Sequence, residues 1–492
     1  MTEYLLGLDA GHTVIKAALF DDRGREVAIG SRPTATFSRH PRWQERDMDV
    51  VWESAAGAIS DALQASGIDP VLVRGVGISA HGDGLYPVDA DGRPVRPALL
   101  ATDTRALPYI SHWAGGAVAE ELLAITGQVP AAYTPPATLS WLRDNEPVVF
   151  ARIDRMLFCK DWLRLQLTGE IATDPTEAAA GLFDVGRREW SPRAAELTGL
   201  EGISRILPPV LGSTAVAGEV SPEAAAKTGL VPGTPVVTGS HDVHATALGI
   251  GALVPGAVSA IMGTFSINQL VLDHPEPGIR WQARCSVTEQ RYLLMSTSPA
   301  GATAADWARS VLAQQPGSVG EIVDGALAPG PSADDPLFLP FVYGTQLDPP
   351  IGGAFTGLRG WHGPTDMLRA ALEGVVFTHR HHLEALREAG PIDTRPVRLA
   401  GGGSRNEAWT QLFADATGLA VEVTDATEAG ARGAAMLAGV GAGVFSSVDQ
   451  AADECVTVLR RQDPDPARRE VLDERYARFE ATMAGLQSAE PR

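Results

Sequence analysis

The sequence predicts an α/β fold of two domains, on three observations. The chain has 492 residues, 45% of them apolar, enough to bury large cores and more than one core usually takes up. β-rich runs and helically spaced runs alternate along it. The strand, glycine-turn, strand unit that opens the chain, "GLDAGHTVIKAALFDDRG" at 7–24, recurs in form at 256–273 as "GAVSAIMGTFSINQLVLD". Two halves that each begin this way predict a duplicated α/β domain with a cleft between, the boundary falling near 249–256.

The elements follow in order. Residues 4–8 are apolar, 14–20 are β-branched and aliphatic, and 21–24 are turn chemistry, so the opening is a hairpin. Gly11 lets the backbone bend so that the amides of 11–13 converge on an anion, with the Thr13 hydroxyl beside them. Asp9, an acid next to an anion site, makes sense with a divalent cation between the two. An ordinary hairpin whose Asp9 and Thr13 only satisfy turn amides would use the same residues. Trp52, Ala55, Ala56, Ile59 and Leu63 are helically spaced within 44–67, and 71–78 is β-rich. Helices are predicted at 120–126, 139–143 and 161–168, with Gly127 and Gly169 as stops. A buried strand at 232–238 leads into "GSHDVHATALGIG". The uncharged run 245–272 is interrupted by Gly249, Gly251, Pro255, Gly256 and Gly263, which marks it as buried structure and not a membrane span. The Pro-, Gly- and Asp-rich stretch 315–336 reads as a surface excursion.

A third glycine cluster, "VRLAGGGSRNEAWTQLFADATGLAVEV" from 397, gives a strand, three glycines and a capping box from Ser404 to Glu407. Trp409, Leu412, Phe413 and Ala416 form the buried stripe of the helix that follows. A flat ligand can lie against a turn without side chains, and Asn406 offers donors and acceptors at the helix start. A plain strand-to-helix turn is the alternative. At the end, Val471, Tyr476, Phe479 and Met483 predict one amphipathic helix over 466–486.

Composition excludes several functions. A formal charge of −20 with no basic stripe argues against a nucleic-acid partner. Cys159, Cys285 and Cys455 stand far apart, which suggests neither a disulfide framework nor a zinc site and fits a reducing cytosol. The opening "MTEYLLGLDAG" lacks a basic segment and a long apolar one, so no secretion signal is expected and the location is cytoplasmic. None of the three lysines, Lys16, Lys160 and Lys227, follows a glycine, so a P-loop is absent. Gly75, Gly77 and Ala80 have a dinucleotide-like spacing, but "HGDGLYPVD" continues as turn and strand instead of helix. Phosphates would then be held by backbone amides, hydroxyls and a metal.

In combination these segments resemble the FGGY carbohydrate kinases of the actin/sugar kinase/Hsp70 superfamily. "LDAGHTVIKAALFD" looks like the first phosphate motif of that family, "GSHDVHATALGIG" like its catalytic segment, "GTFS" like its second phosphate motif and "GGGSRNEAWTQLFAD" like its adenosine motif. "EAGARGAAMLAGVGAG" at 428–443 is similar to the closing small-residue helix, and "LTGEIATDPTEAAAGLFD" and "ATDTRA" also have counterparts. The resemblance runs in the right order to about residue 445. It implies two ribonuclease-H-like domains, 1–248 with sugar site and base and 256–445 with the nucleotide, followed by a helical tail at 446–492. The two would close over ATP and a small sugar or polyol. It further implies Asp9 toward Mg²⁺, Gly11, His12, Thr13, Gly263 and Thr264 around the phosphates, Gly402, Gly403 and Asn406 on the adenosine side, and Asp242 as base. His12 departs from the family, which usually has a small hydroxylic residue or glycine there.

By position alone Asp242, at a strand-to-helix junction, is a helix cap. Lying after an apolar strand and between two phosphate turns, it is instead placed to accept a hydrogen bond from a primary hydroxyl. His241 and His244 beside it are expected to be packing or supporting residues. The substrate loop is expected at 77–89, with His81, Gly82 and Asp83 in contact with sugar; erythritol and L-xylulose or 3-keto-L-gulonate kinases resemble it most. An exposed Asp83 would accept hydrogen bonds from neutral hydroxyls and repel a carboxylate, which favours a neutral tetritol or ketopentose over a keto-sugar acid. As a turn residue between Gly82 and Gly84 it would carry no such information. The remaining alternatives are an L-xylulose/3-keto-L-gulonate kinase, a non-catalytic sugar-binding regulator on the same fold, and a chaperone-like or filament-forming ATPase, which would need neither a sugar loop nor a base. A homodimer is among the assemblies the sequence leaves open.

Overall fold

The computed structural model describes residues 3–312, 318–345 and 349–489. It packs as two units, one made of Met1–Val254, Leu272–Leu293 and Ala426–Val456, the other of Pro255–Val271, Leu294–Asp425 and Thr457–Arg492. The chain therefore returns twice to the first unit after the second has begun. No helix among the described residues is long and apolar enough to cross a membrane.

In the first unit the opening hairpin, Tyr4–Ala10 with Val14–Asp21, is antiparallel, and Glu26–Pro33 extends it. Parallel strands are added on the other side. Val73–Ala80 pairs with Tyr4–Ala10, and Pro235–Val237 and Ser240–His241 pair with Val73–Ala80. The register puts Asp9, Ser79 and Ser240 level with one another, and Ala10, Ala80 and His241 one step further on. The C-terminal ends of parallel strands thus form one edge, where α/β sheets commonly bind ligands.

Helices cover both faces of this sheet. Met48–Ser66 starts at Asp47, whose side chain accepts from the amides of Asp49 and Val50, and ends at Gly67 with φ 64°. On the opposite face Ala429–Gly441, rich in alanine and glycine, lies against Tyr4–Ala10 and Val73–Ala80. The approach is very close: a Cβ on Gly7 or Gly77 would stand 1.8 Å from the carbonyl oxygen of Ala431 or Ala434.

The second unit repeats the plan. Val258–Met262 and Ser266–Leu272 form its antiparallel hairpin, Val397–Ala400 and Val421–Thr424 add parallel strands, and Val458–Gln462 closes the edge antiparallel. The predicted excursion at 315–336 is different in structure. Residues 315–317 lie outside the described residues, but Val319–Leu327 is a helix with a Ser318/Glu321 capping box. The terminal helix runs Pro466–Ala489 and buries Leu472, where Val471 was expected, with Tyr476, Phe479 and Met483.

Candidate active site

Asp9 ends the first strand half-buried, and its Oδ1 accepts a 2.7 Å hydrogen bond from the Ser79 hydroxyl on the neighbouring strand. Burial, followed by the charge of Asp242, pushes its pKa up to about 7. Lys16, its register partner, offsets this only in part, because its Nζ is 2.8 Å from Glu428. A carboxylate kept short of positive charge fits a divalent cation. Among the described residues no group of three His, Cys, Asp or Glu side chains could hold a metal by itself. One carboxylate with substrate phosphates completing the shell is a common arrangement for Mg²⁺.

The turn after Asp9 is partly committed. The Gly11 amide donates to Val14 O at 3.1 Å, while Thr13 is exposed. His12 packs its ring 4.4 Å from that of His81, and its carbonyl accepts from the buried Arg46 guanidinium. Burial, joined by the Arg46 charge against that of Asp242, brings His12 down to about 4, so the ring is neutral at physiological pH.

Asp242 opens the helix Asp242–Gly249 with its side chain 31% exposed, directly after the strand Ser240–His241. His241 Nε2 is 3.2 Å from its Oδ1. The His241 amide is held in turn by Thr176 Oγ1 at 2.9 Å, and that hydroxyl donates to Asp174 at 3.0 Å. This gives the "TDPTE" segment its place beside His241 and Asp242.

The substrate loop differs from expectation. His81 is buried and both ring nitrogens are engaged, Nδ1 with Ala10 O at 3.0 Å and Nε2 with the Tyr86 hydroxyl at 3.1 Å. Since a carbonyl only accepts, Nδ1 carries the proton and Tyr86 donates to Nε2. Asp83, expected to face the ligand, is 9% exposed and lies 2.6 Å from Arg284, which is fully buried. Its φ is 66°, a left-handed conformation that a non-glycine residue seldom adopts. The charge argument against a keto-sugar acid does not survive, because the Asp83 charge is already paired. Gly82 is needed for space: a Cβ there would come within 2.6 Å of the His241 ring.

Sequence reasoning missed Arg284 and Glu177 and set His241 aside. Glu177 is fully buried and neither carboxylate oxygen has a hydrogen-bond partner among the described residues. Burial pushes it up to about 8, against the charge of Lys160. An acid in the otherwise small and apolar "TEAAAGLFD" was the signal available.

In the second unit, Gly263, Thr264, Gly402, Gly403 and Asn406 all line one cavity of about 700 Å³. Trp409, Met262 and Leu372 give it apolar walls; Arg309 and Arg405 give it charge. The helix Glu407–Thr417 is capped by Asn406, whose Oδ1 accepts from Trp409 N at 2.8 Å, so the expected Ser404 cap is not used. Ser404 instead bonds Gly401 O at 2.8 Å inside the turn Gly402–Arg405. Asn406 Nδ2 donates to Asp324 at 2.7 Å, which joins the glycine turn to the helix Val319–Leu327.

Comparison with known proteins agrees with this architecture. Models of the FGGY family of carbohydrate kinases match residues 4–249 as N-terminal domain and 258–442 as C-terminal domain. The L-xylulose/3-keto-L-gulonate kinase of Escherichia coli (strain K12) is 32% identical over 99% of this chain and 98% of its own. The xylulose kinase of the same strain is 30% identical, covering 89% of this chain and 90% of its own. The crystal structure of xylulose kinase from Rhodospirillum rubrum superposes with TM-score 0.89 at 29% identity, over 99% of both chains.

Proposed function

The chain belongs to the FGGY family of carbohydrate kinases, and on that premise we propose that it transfers the γ-phosphoryl group of ATP to a primary hydroxyl of a small ketose of the xylulose kind. The observation that carries this reading is the edge of the first sheet, where the partly exposed Asp242 opens a helix within electrostatic reach of Asp9.

Asp242 accepts the hydrogen bond of the acceptor hydroxyl and aims that oxygen at the γ-phosphorus. In a loose transition state this is mostly positioning, with proton transfer late. In the first unit the amides of His12 and Thr13 and the Thr13 hydroxyl are available to phosphate oxygens, while the Gly11 amide serves the turn itself; in the second unit the Thr264 hydroxyl is available to those of the nucleotide. The neutral His12 ring adds no charge there. Gly263 keeps the second phosphate turn open, and Gly402, Gly403 and Asn406 form the wall for the adenosine. Asp9 would hold Mg²⁺, which when bound offsets the negative charge of the phosphates. With ATP as donor, a cytoplasmic location and small-molecule partners fit this reading.

Preference for a ketopentose over a tetritol draws on the relatives, whose names specify xylulose kinases. A keto-sugar acid is the second reading, favoured by one observation: the Asp83 charge that would oppose it is paired with Arg284. The test is ADP formation by the purified protein with Mg-ATP and L-xylulose, D-xylulose, 3-keto-L-gulonate and erythritol. A ketopentose should give the highest kcat/KM. Absence of sugar-dependent ADP formation across the panel would replace the kinase by a sugar-binding regulator.

A further inference from the structure

We propose that Asp83 and Arg284 serve the base and not the sugar: through the ring of His241 they fix the position of Asp242. This rests on Asp242 being the base of the kinase reaction.

The contacts form one chain within the first unit. Asp83 Oδ1 is 2.6 Å from Arg284 Nη2, Arg284 Nη1 is 3.5 Å from His241 Nδ1, and His241 Nε2 is 3.2 Å from Asp242 Oδ1. Arg284 is itself fixed by Gln128 Oε1 at 3.2 Å and Gln282 Oε1 at 3.0 Å. Direction follows from donor chemistry. A guanidinium only donates, so Nδ1 of His241 accepts, and the proton of the neutral ring resides on Nε2, where it is donated to Asp242. Without Arg284 the ring is free to take the other tautomer, which would leave two acceptors facing each other at Asp242.

Packing enforces the same geometry. His241 is 6% exposed, its amide is bonded to Thr176, and the absent side chain of Gly82 makes room for the ring. Asp83 holds a left-handed backbone, a strain that persists where surrounding contacts require the side chain to point one way. The charged and titratable groups around the ring are Asp242, Glu177 and Arg284, with His244 at a ring separation of 5.6 Å and His12 acting at longer range. Burial lowers the pKa of His241, but the bond to Asp242 and the Asp242 charge raise it, as expected for a ring that donates to a carboxylate.

The full-length protein with ¹⁵N-labelled histidine tests the chain independently of activity. Long-range ¹H–¹⁵N spectra, with His241 assigned by its loss in His241→Gln, should show the Nε2–H tautomer in the wild type and a mixture of tautomers in Arg284→Gln. Kinetics with L-xylulose and Mg-ATP should show Asp83→Asn and Arg284→Gln each losing about tenfold in kcat, with sugar KM within about twofold. The double variant should be little worse than either single one, because the residues act in one chain. It also removes both buried charges, and supplies the measurement if a single variant fails to fold. An Nδ1–H tautomer in the wild type, or a raised sugar KM with unchanged kcat in Asp83→Asn, would overturn the proposal. If the wild type phosphorylates none of the sugars, the kinase reading falls while the spectra still decide the His241 tautomer.

Discussion

Replacing Asp9 by asparagine should stabilise the ligand-free protein and at the same time remove its use of Mg-ATP. The carboxyl of Asp9 rises from an ordinary 3.8 to about 7 in the folded protein, chiefly through burial and then through Asp242. An acid with a raised folded-state pKa binds more protons folded than unfolded between those two values. Stability therefore falls as pH climbs from about 4 to about 7, and the loss stays constant above. The full span corresponds to about 4 kcal/mol. Water reaches the half-buried carboxylate, and allowing for its screening brings the figure nearer to about 2 kcal/mol. Asparagine cannot ionise, and its Oδ1 can still accept the Ser79 hydroxyl, so the penalty is removed without loss of that bond.

Urea denaturation in EDTA at pH 4.5 and pH 8 measures the effect. Asp9→Asn should gain about 2 kcal/mol over the wild type at pH 8 and only about 0.5 kcal/mol at pH 4.5. With Mg-ATP added at pH 8, the wild type should gain thermal stability and the variant should not. A variant no more stable than wild type at pH 8, or equally favoured at both pH values, would refute the electrostatic reading of Asp9.

Asp242→Asn should fold normally and lose at least about two orders of magnitude in kcat, the lower scale for removing a positioned base; retention of a third of wild-type kcat would exclude the assignment. Gly402 faces open space in the 700 Å³ cavity, so Gly402→Leu should raise the KM for ATP about tenfold or more by filling it. Its sugar KM and Tm should stay near wild type, and an unchanged ATP KM would move the nucleotide elsewhere. Gly77→Ala should cost more than about 3 kcal/mol in urea denaturation, beyond ordinary overpacking, because the 1.8 Å contact is with backbone and cannot be relieved by a rotamer. A loss below about 1 kcal/mol would mean that the helix Ala429–Gly441 shifts easily.

What could be read from the sequence was what is encoded locally. A glycine turn between two apolar strands predicts its own hairpin, and both hairpins form in the predicted place. Gly263 and Thr264 come from such a hairpin turn, Gly402, Gly403 and Asn406 from a strand-to-helix turn, and all line one cavity because the strands before them, Val258–Met262 and Val397–Ala400, are parallel neighbours. Composition was a poorer guide than capping. The Pro, Gly and Asp content of 315–336 concealed a helix whose Ser318/Glu321 box was present in the sequence, whereas the box at Ser404 lost to Asn406 because Ser404 is taken into the 3₁₀ turn Gly402–Arg405.

The substrate side was harder for a different physical reason. Asp83 and Arg284 are 201 residues apart, and their pairing depends on Leu272–Leu293 packing in the first unit although Pro255–Val271 of the second precedes it in the chain. No spacing rule contains that return. A loop aspartate between two glycines has the same local signature whether it faces a ligand or a buried guanidinium, and only the partner distinguishes the two. The consequence reaches the chemistry: an unpaired Asp83 would select substrates by charge, whereas a paired one leaves selection to shape and hydroxyl placement and is free to act on the base. The Asp83 charge therefore carries no information on whether a ketopentose or its acid is the substrate, because Arg284 already takes it up inside the first unit.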